Sequence, residues 1–287
     1  MQPSRFAPLP SAHRPGVRRK IGVFDSGVGG LTVLKAMRRT MPQADFLYVG
    51  DTARVPYGRK PSSMVAGFAR EIAAFLLAQD VEAIVVACNT ATAAALPALA
   101  DELPVPVWGV IEPGVRAAFE ASKTGSVGVI GTRGAIASGA YQRRLEALGL
   151  RVWARACPMF VHLVEENLSD SEEAALLARH YFADRPAIDT LILGCTHYPV
   201  LRPVIEATLG PSVNVISSAQ AVAATVAAAI GDTDDPELPG IGGILHLVTG
   251  DVIAYQHTAQ TIGGVDGEVR PIHVETLAAA EPLPVRP

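Results

Sequence analysis

The sequence predicts an α/β protein of two pseudo-symmetric domains, each a doubly wound parallel sheet, with a functional site in the cleft between them. Short β-branched runs alternate with stretches of helical length, which is typical of parallel sheets covered by helices on both faces. Apolar runs such as "AIVVA" and "LILG" are almost uninterrupted, as in strands buried on both sides. A third observation, described below, is that several strand ends recur at nearly the same sequence offset.

The predicted strands are short apolar runs bounded by polar or turn-forming residues. They are Lys20–Phe24, Ala44–Val49, Glu82–Ala87, Val105–Val110, Ser126–Ile130, Arg151–Ala156, Asp189–Leu193 and Val213–Ile216. Ala- and Leu-rich stretches between them predict helices over Ser62–Gln79, Ala135–Leu148 and Ser171–Asp184. The last of these begins S-D-S-E-E, which supplies N-cap candidates and acids for its first turn.

Matching segments in the two halves of the chain indicate a duplicated α/β unit. Three pairs occur in the same order, two at an offset of 106 residues and one at 107: "IGVFDSGVG" from Ile21 with "VGVIGTRGA" from Val127, "VWGVIEP" from Val107 with "VNVISSA" from Val213, and Cys88 with Cys195. Chance can produce a single match in an apolar chain, whereas three in order favour duplication.

The duplication predicts the domain organisation. The first domain comprises residues 20–112, and the second comprises residues 113–225. Residues 226–275 carry a further strand–helix–strand pattern around "ILHLVTGD" and are predicted to return to the first domain. Residues 1–19, rich in Pro, Arg and His, are predicted to be a flexible extension, and residues 276–287 a C-terminal tail.

Composition excludes several classes of protein. The chain has 287 residues, of which 49% are hydrophobic and 18% charged, so it can bury a large core. A net charge of −4 argues against a general affinity for nucleic acid. No apolar stretch reaches the roughly 20 residues that cross a membrane, and the N-terminus lacks the apolar core of a secretory signal. Three cysteines are too few for a disulfide framework, so we expect free thiols in the cytoplasm.

Cys88 and Cys195 are the main candidates for chemistry. Both follow predicted strands, and ligands of open parallel sheets bind beyond the carboxyl ends of the strands. If the two units face each other, the thiols approach one cleft from opposite sides. A strand-to-helix turn also places each thiol near a helix N-terminus, whose partial positive charge favours thiolate. One thiolate can then remove a proton from a carbon while the other thiol returns one to the far face, which inverts a stereocentre without a cofactor.

Other roles for the cysteines remain open at this stage. Each can be a small buried hydrophobe, the two can form a redox disulfide, or the protein can be a two-lobed binding protein. Their matching positions favour acid–base chemistry, whereas Cys157 has no counterpart and is interpreted as structural. We expect no metal, because no C-x-x-C pair is present. Pyridoxal phosphate is disfavoured because no lysine has a clear Schiff-base setting; the lysines are Lys20, Lys35, Lys60 and Lys123.

Two loops and two neighbouring side chains complete the candidate site. "DSGVGG", Asp25–Gly30, joins a strand to a helix; its N–H groups can hold a carboxylate or phosphate, or its glycines can serve a tight turn. "GDTARVPYG", Gly50–Gly58, is a polar loop after the second strand. His197 is two residues from Cys195. Glu165, in "HLVEEN", is interpreted from the sequence alone as part of a solvated helix end.

Four segments carry a resemblance to a known family. "IGVFDSGVGGLTV", "YVGDTARVPYG", "ACNTAT" and "LGCTHYP" resemble the cofactor-independent Asp/Glu racemase superfamily, and within it the glutamate racemases, over about residues 20–275. The resemblance implies interconversion of L- and D-glutamate for peptidoglycan synthesis, without a cofactor, by a cytoplasmic homodimer. Aspartate racemase is the nearest alternative, and "CTHYP" with "DSGVGG" favours glutamate.

The resemblance also assigns roles to residues. Cys88 and Cys195 match the two catalytic acid/bases, the first acting on D-glutamate and the second on L-glutamate. Asp25, His197 and Glu165 match positions that assist the thiols. The implied substrate contacts are Asp25, Ser26, Tyr57, Gly58, Asn89, Thr90, Thr196 and His197.

The chain departs from the family pattern at three positions. Ala135 stands where Thr is usual, His162 where Pro is frequent, and Ser217 where Asp is frequent. We expect these differences to weaken individual contacts without changing the assignment.

Overall fold

A computed structural model describes residues 16–232, 238, 240–264 and 266–280. The strands within these ranges are β1 (Lys20–Asp25), β2 (Asp45–Gly50), β3 (Ala83–Val86), β4 (Val107–Gly109), β5 (Ser126–Gly131), β6 (Arg151–Ala156), β7 (Thr190–Gly194), β8 (Asn214–Ser217), β9 (Ile244–Val248) and β10 (Glu268–Pro271). Each predicted strand is therefore present, with ends that differ by at most two residues.

Helices follow the strands along the chain. They are α1 (Leu31–Thr40), α2 (Ser62–Leu77), α3 (Asn89–Glu102), α4 (Ile111–Ala121), α5 (Arg133–Ala137), α6 (Ala140–Ala147), α7 (Met159–Glu165), α8 (Glu172–Phe182), α9 (Arg202–Leu209), α10 (Ser218–Ile230), α11 (Val252–Thr261) and α12 (Val274–Ala278). Short 3₁₀ turns cover Thr52–Arg54, Tyr57–Arg59 and Tyr198–Leu201.

The strands of the described residues form two parallel sheets. One has the order β10-β9-β2-β1-β3-β4 and the other the order β6-β5-β7-β8. The order β2-β1-β3-β4 is thus repeated as β6-β5-β7-β8, in agreement with the predicted duplication. The pairings are parallel in both sheets. The predicted α/β class, with parallel sheets in two domains, is confirmed.

This topology determines where the candidate residues lie. In each sheet the strand order reverses beside the first strand of the repeat, between β1 and β3 and between β5 and β7, and such switch points open a crevice at the carboxyl ends of the strands. Asp25 ends β1 and Cys88 follows β3, while Cys195 directly follows β7. The equivalent thiols therefore flank equivalent crevices.

A continuous apolar core joins the two sheets. One buried cluster contains Val23 from β1, Leu191 from β7 and Val226 from α10. Helix α10 packs against α1 on one side and against α4 on the other. Because side chains from both sheets share this cluster, the two sheets, and with them their crevices, are fixed relative to each other. The packing of α10 on α1 contributes to this.

One predicted helix is wrong. The stretch Ala135–Leu148 forms two helices, α5 and α6, because Gly139 adopts a left-handed conformation with φ of +64°. A left-handed residue ends the α-helical hydrogen-bond pattern, and glycine adopts it without steric cost. Helix α5 also begins earlier than predicted, at Arg133, because the Thr132 side chain caps it by accepting a hydrogen bond from the Ala135 N–H.

The described parts of the predicted extension and tail are better packed than the sequence suggested, and residues 281–287 of the tail lie outside the described residues. Residues 1–15 of the predicted extension lie outside the described residues, but Arg19 is buried and its guanidinium lies 3.2 Å from the Glu82 carboxylate. In the predicted tail, Leu277 is 0% exposed and packs in the cluster that covers α2. The domain boundaries at residues 112/113 and 225/226 stay a prediction, and the second falls inside α10.

Within the described ranges, no helix has both the length and the apolar character needed for a membrane span.

Candidate active site

Both matched cysteines open into one cleft between the sheets. The cleft has a volume of about 310 Å³, near the lower end of the range of about 300–1,000 Å³ that is usual for small-ligand sites. Cys88 and Cys195 line it, and so does Glu165. The other predicted residues that line it are Ser26, Tyr57, Gly58, Asn89, Thr90, Thr196 and His197. Only Asp25, among the predicted site residues, does not reach the cleft wall.

Cys88 occupies the N-cap position of α3. It is 6% exposed, and its Sγ lies 3.7 Å from the Ser26 Oγ. Burial, and to a smaller extent the nearby Asp25 carboxylate, raise the pKa of the Cys88 thiol to about 12, against the opposing influence of the Ala91 N–H and Ser26. The N-terminus of α3 does favour a thiolate, as expected, because the Ala91 N–H lowers the Cys88 pKa, but desolvation is the larger effect and the thiol stays protonated.

Cys195 has a different set of neighbours. It is 5% exposed, and its Sγ lies 3.8 Å from the His197 Nδ1. The opposite ring nitrogen, Nε2, donates a hydrogen bond of 3.0 Å to the Glu165 Oε1. Burial disfavours the charged imidazole, but the hydrogen bonds to Cys195 and Glu165 outweigh it and raise the pKa of His197 to about 10. His197 is thus a protonated side chain between a sulfur and a carboxylate.

Glu165 belongs to the site rather than to a solvated helix end, so the interpretation from the sequence alone is corrected. It is the last residue of α7 and reaches His197, which is 32 residues further along the chain. Burial raises the Glu165 pKa, but the hydrogen bond and charge of His197 outweigh this and lower it below its ordinary value. The carboxylate can therefore hold the imidazolium in place.

Asp25 lies beneath the cleft. It is 1% exposed, and its Oδ2 accepts a hydrogen bond of 3.0 Å from the Gly27 N–H. Burial raises its pKa, against the opposing influence of the positive charge on His197 and of nearby backbone N–H groups. The second oxygen, Oδ1, has no hydrogen-bond partner among the described residues. Asp25 is thus placed to act on the side chains around it rather than as part of the wall.

The glycines of the "DSGVGG" loop serve a close approach between the two halves. A Cβ atom at Gly29 would lie 2.3 Å from the Thr196 Oγ1 and 2.4 Å from the His197 Nδ1, which real Cβ atoms do not tolerate. The Thr32 hydroxyl, in the helix that follows, donates a hydrogen bond of 2.8 Å to the Thr196 carbonyl. Gly29 therefore has a backbone reason, while Ser26 and Gly27 of the same loop line the cleft.

The loop with Tyr57 is held by a buried carboxylate. The Tyr57 hydroxyl donates to the Asp51 Oδ2, and Asp51 is also hydrogen-bonded to the Arg54 Nε at 2.7 Å and to the Thr249 hydroxyl at 2.9 Å. Asp51 therefore fixes the position of the Tyr57 hydroxyl, and both Tyr57 and its neighbour Gly58 line the cleft.

Two side chains that the sequence did not single out, Thr132 and Tyr141, connect the two halves of the chain. The Thr132 and Thr90 hydroxyls are hydrogen-bonded at 2.9 Å, and the Tyr141 hydroxyl donates to the Asn89 Oδ1 at 2.7 Å. The repeat contained a signal for Thr132, because it lies 106 residues after Ser26 and is its counterpart. Nothing in the sequence marked Tyr141, whose contact forms only through folding.

The three residues that depart from the family pattern lie in different parts of the fold. Of the three, only His162 lines the cleft; Ala135 is buried in α5, and Ser217 lies beside a different cavity.

In the part of the chain that the structure describes, no group of three or more His, Cys, Asp or Glu side chains is arranged to hold a metal ion.

The chain is similar in sequence to known proteins. The Asp/Glu/Hydantoin racemase family model matches residues 21–226. The chain is 55% identical over 258 residues to a glutamate racemase of Thermus thermophilus, and the match covers 90% of this chain and 97% of the relative.

Solved structures are also similar. A crystal structure of glutamate racemase from Thermus thermophilus in complex with beta-chloro-D-alanine has a TM-score of 0.83 and 53% identity, covering 90% of this chain and 98% of the other. The glutamate racemase of Francisella tularensis in complex with D-glutamate has a TM-score of 0.81 and 30% identity, covering 90% and 99%.

Proposed function

The chain belongs to the Asp/Glu/hydantoin racemase family, and we propose that it is a glutamate racemase in which Cys88 and Cys195 pass the Cα proton between them. As a member of this family it is an isomerase. The observation that carries the proposal is that two equivalent buried thiols, from repeated strand ends, line one cleft of small-ligand size. The high identity to glutamate racemases along nearly their whole length supports glutamate as the substrate.

The reaction from L-glutamate begins at Cys195. Its thiolate takes the Cα proton, so the C–H bond breaks, an S–H bond forms and the electron pair stays on the substrate carbon and its carboxylate. The Cys88 thiol then gives its proton to the opposite face, which forms D-glutamate and leaves Cys88 as thiolate. The raised pKa of Cys88 suits it to hold that proton in the resting site. The reverse reaction exchanges the two roles.

The neighbouring side chains stabilise charge during the transfer. Protonated His197, held by Glu165, lies beside the Cys195 sulfur, where it can donate a hydrogen bond to negative charge. The hydroxyls of Ser26, Thr90 and Thr196, with nearby N–H groups, supply donors for the substrate carboxylates. Fixed donors of this kind matter most when charge develops on a carbon acid that has no electron sink.

Cellular context forms part of the same proposal. The resemblance to glutamate racemases supports a cytoplasmic homodimer that supplies D-glutamate for peptidoglycan synthesis. We propose no cofactor for the reaction, because the two thiols together with the donors around them provide both proton transfers.

Deuterium exchange tests the proposal directly. The purified protein is incubated with L- or D-glutamate in D₂O without added cofactor, and optical rotation and Cα deuterium are followed. We expect each enantiomer to be converted into the other with deuterium at Cα, and aspartate, the nearest alternative substrate, to react far more slowly. A folded protein that exchanges neither glutamate enantiomer would contradict the proposed function.

A further inference from the structure

Two arginines at the cleft have no assigned role. Arg59 follows Gly58 and is the last residue of the 3₁₀ turn Tyr57–Arg59 in the first half of the chain. Arg133 is the first residue of α5 in the second half. Both residues line the cleft and both are exposed. Over the described ranges, neither guanidinium makes a hydrogen bond or an ion pair with another residue. By contrast, Arg54 in the same loop is bonded to Asp51 and Glu71.

These arginines lie on loops that touch each other. A Cβ atom at Gly58 would lie 2.9 Å from the Thr132 Cβ, and a Cβ at Gly134 would lie 3.2 Å from the Gly58 carbonyl oxygen. Arg59 follows Gly58, and Arg133 lies between Thr132 and Gly134. One cation therefore stands on each side of the contact between the halves, at the wall of the cleft.

The other charges of the cleft do not neutralise the arginines. His197 and Glu165 also line it, and they are hydrogen-bonded to each other. His162 lines the cleft as well, and its imidazole has no negative charge that could neutralise an arginine. The whole chain carries a net charge of −4, which repels an anion at long range. Unpaired cations at the cleft reverse this repulsion locally, where the ligand must pass.

We propose that Arg59 and Arg133, the arginine pair, recruit dicarboxylate ligands into the cleft and favour them over monocarboxylates. The inference rests on the proposed function, since glutamate carries two carboxylates and a net charge of −1. Exposed guanidinium groups attract such a ligand over about one Debye length, which shrinks from about 30 Å at 0.01 M salt to about 3 Å at 1 M. The arginine pair acts on binding and not on the proton transfers.

Charge-matched variants test the arginine pair. Arg59→Gln, Arg133→Gln and the double variant are compared with Arg116→Gln, an exposed α4 arginine that lies outside the cleft lining. At 0.01 M salt we expect kcat/KM for glutamate to fall about threefold to tenfold for each cleft arginine, through KM, with kcat changed less than about twofold. At 1 M salt the difference should largely vanish. Arg116→Gln, with the same change in net charge, should match the wild type at both salt concentrations.

Calorimetry with unreactive acids tests selectivity without turnover. Glutarate, with two carboxylates, should lose affinity in the cleft variants at low salt, whereas butyrate, with one, should lose less. Cleft variants that match Arg116→Gln in kcat/KM, salt dependence and glutarate affinity would overturn the inference, as would a fall in kcat that salt does not change. Failure of the proposed function gives a different result, because the wild type itself would then leave both glutamate enantiomers unchanged. In that case the glutarate affinities of the wild type and the cleft variants would still show whether the arginine pair recruits a diacid.

Discussion

The Cys88 half and the Cys195 half of the cleft share a backbone plan but differ in chemistry. Each cysteine follows the third strand of the same parallel order, and the two are buried to nearly the same degree, at 6% and 5% exposed. Cys88, however, lies beside a serine hydroxyl and near a buried carboxylate. Cys195 lies beside a histidine that a glutamate holds.

This difference shows how a duplicated fold can serve a reaction that needs two unlike groups. The repeated backbone places two sulfurs at equivalent points facing one cleft. The side chains around them are not repeated, and they make Cys88 a proton-bearing thiol while placing a cation next to Cys195. An acid and a base on opposite faces of one carbon are the requirements for inversion by two proton transfers.

The largest effect should come from removing either sulfur. We expect Cys88→Ala and Cys195→Ala each to lower racemisation roughly a thousandfold or more, because each removes one of the two proton carriers. Cys157→Ala is the matched control, since Cys157 is also buried but does not line the cleft. Optical rotation with each enantiomer measures the rates. Full activity of either cleft variant would break the comparison between the halves, as would an equal loss in Cys157→Ala.

Removing the histidine should sharpen the comparison, because only the Cys195 half has one beside its sulfur. His197→Asn is expected to lower kcat/KM by about 10²-fold. The fall must be equal from L- and D-glutamate, since the equilibrium constant between enantiomers is one. His162→Asn, which changes an exposed histidine of the same cleft, should stay within about threefold of the wild type. Steady-state kinetics in both directions provide the test, and equal losses in the two variants would contradict a special role for His197.

The same histidine should make stability depend on pH. His197 has an ordinary pKa near 6.5 when unfolded and about 10 in the folded protein, so the native state binds the extra proton between these values. Its stabilisation is complete below about pH 6.5 and is lost as the pH rises to about 10, with a slope of up to about 1.4 kcal/mol per pH unit. Urea unfolding from pH 6 to 10 measures this loss. If His197→Asn retains the same slope over that window, another group is responsible.

The smallest effect on activity should come from the Tyr57 hydroxyl, in the Cys88 half. Because this hydroxyl is bonded to buried Asp51, Tyr57→Phe should lower the free energy of unfolding by about 1–3 kcal/mol. KM for glutamate should change less than about threefold. Urea unfolding and steady-state kinetics on the same preparation separate the two effects. A tenfold rise in KM with unchanged stability would mean that the hydroxyl contacts the substrate.

Much of the fold was predictable because its signals are local. Apolar runs such as "LILG", Leu191–Gly194, predicted buried strands, and the nearly constant offset between the halves matched the repeated strand order. The break between α5 and α6 was not predicted, because the Ala- and Leu-rich composition of this stretch does not show that Gly139 adopts a left-handed backbone conformation. Within the site, Cys88, Cys195 and Thr90 were predicted and do line one cleft. Glu165 was interpreted from its own segment as solvated, and only its family position suggested a role.

The sequence alone determined the α/β class, the duplication and the equivalence of two cysteines, since periodicity and repeats are properties of the chain itself. Tertiary structure decided which side chains surround each sulfur. Glu165 is hydrogen-bonded to His197, and Tyr141 is hydrogen-bonded to Asn89, only once the chain has folded. Asp25 likewise becomes buried beneath the cleft only in the folded protein. Desolvation and charge act through space, so the proton held by Cys88 and the charge held by His197 depend on contacts that no local pattern encodes.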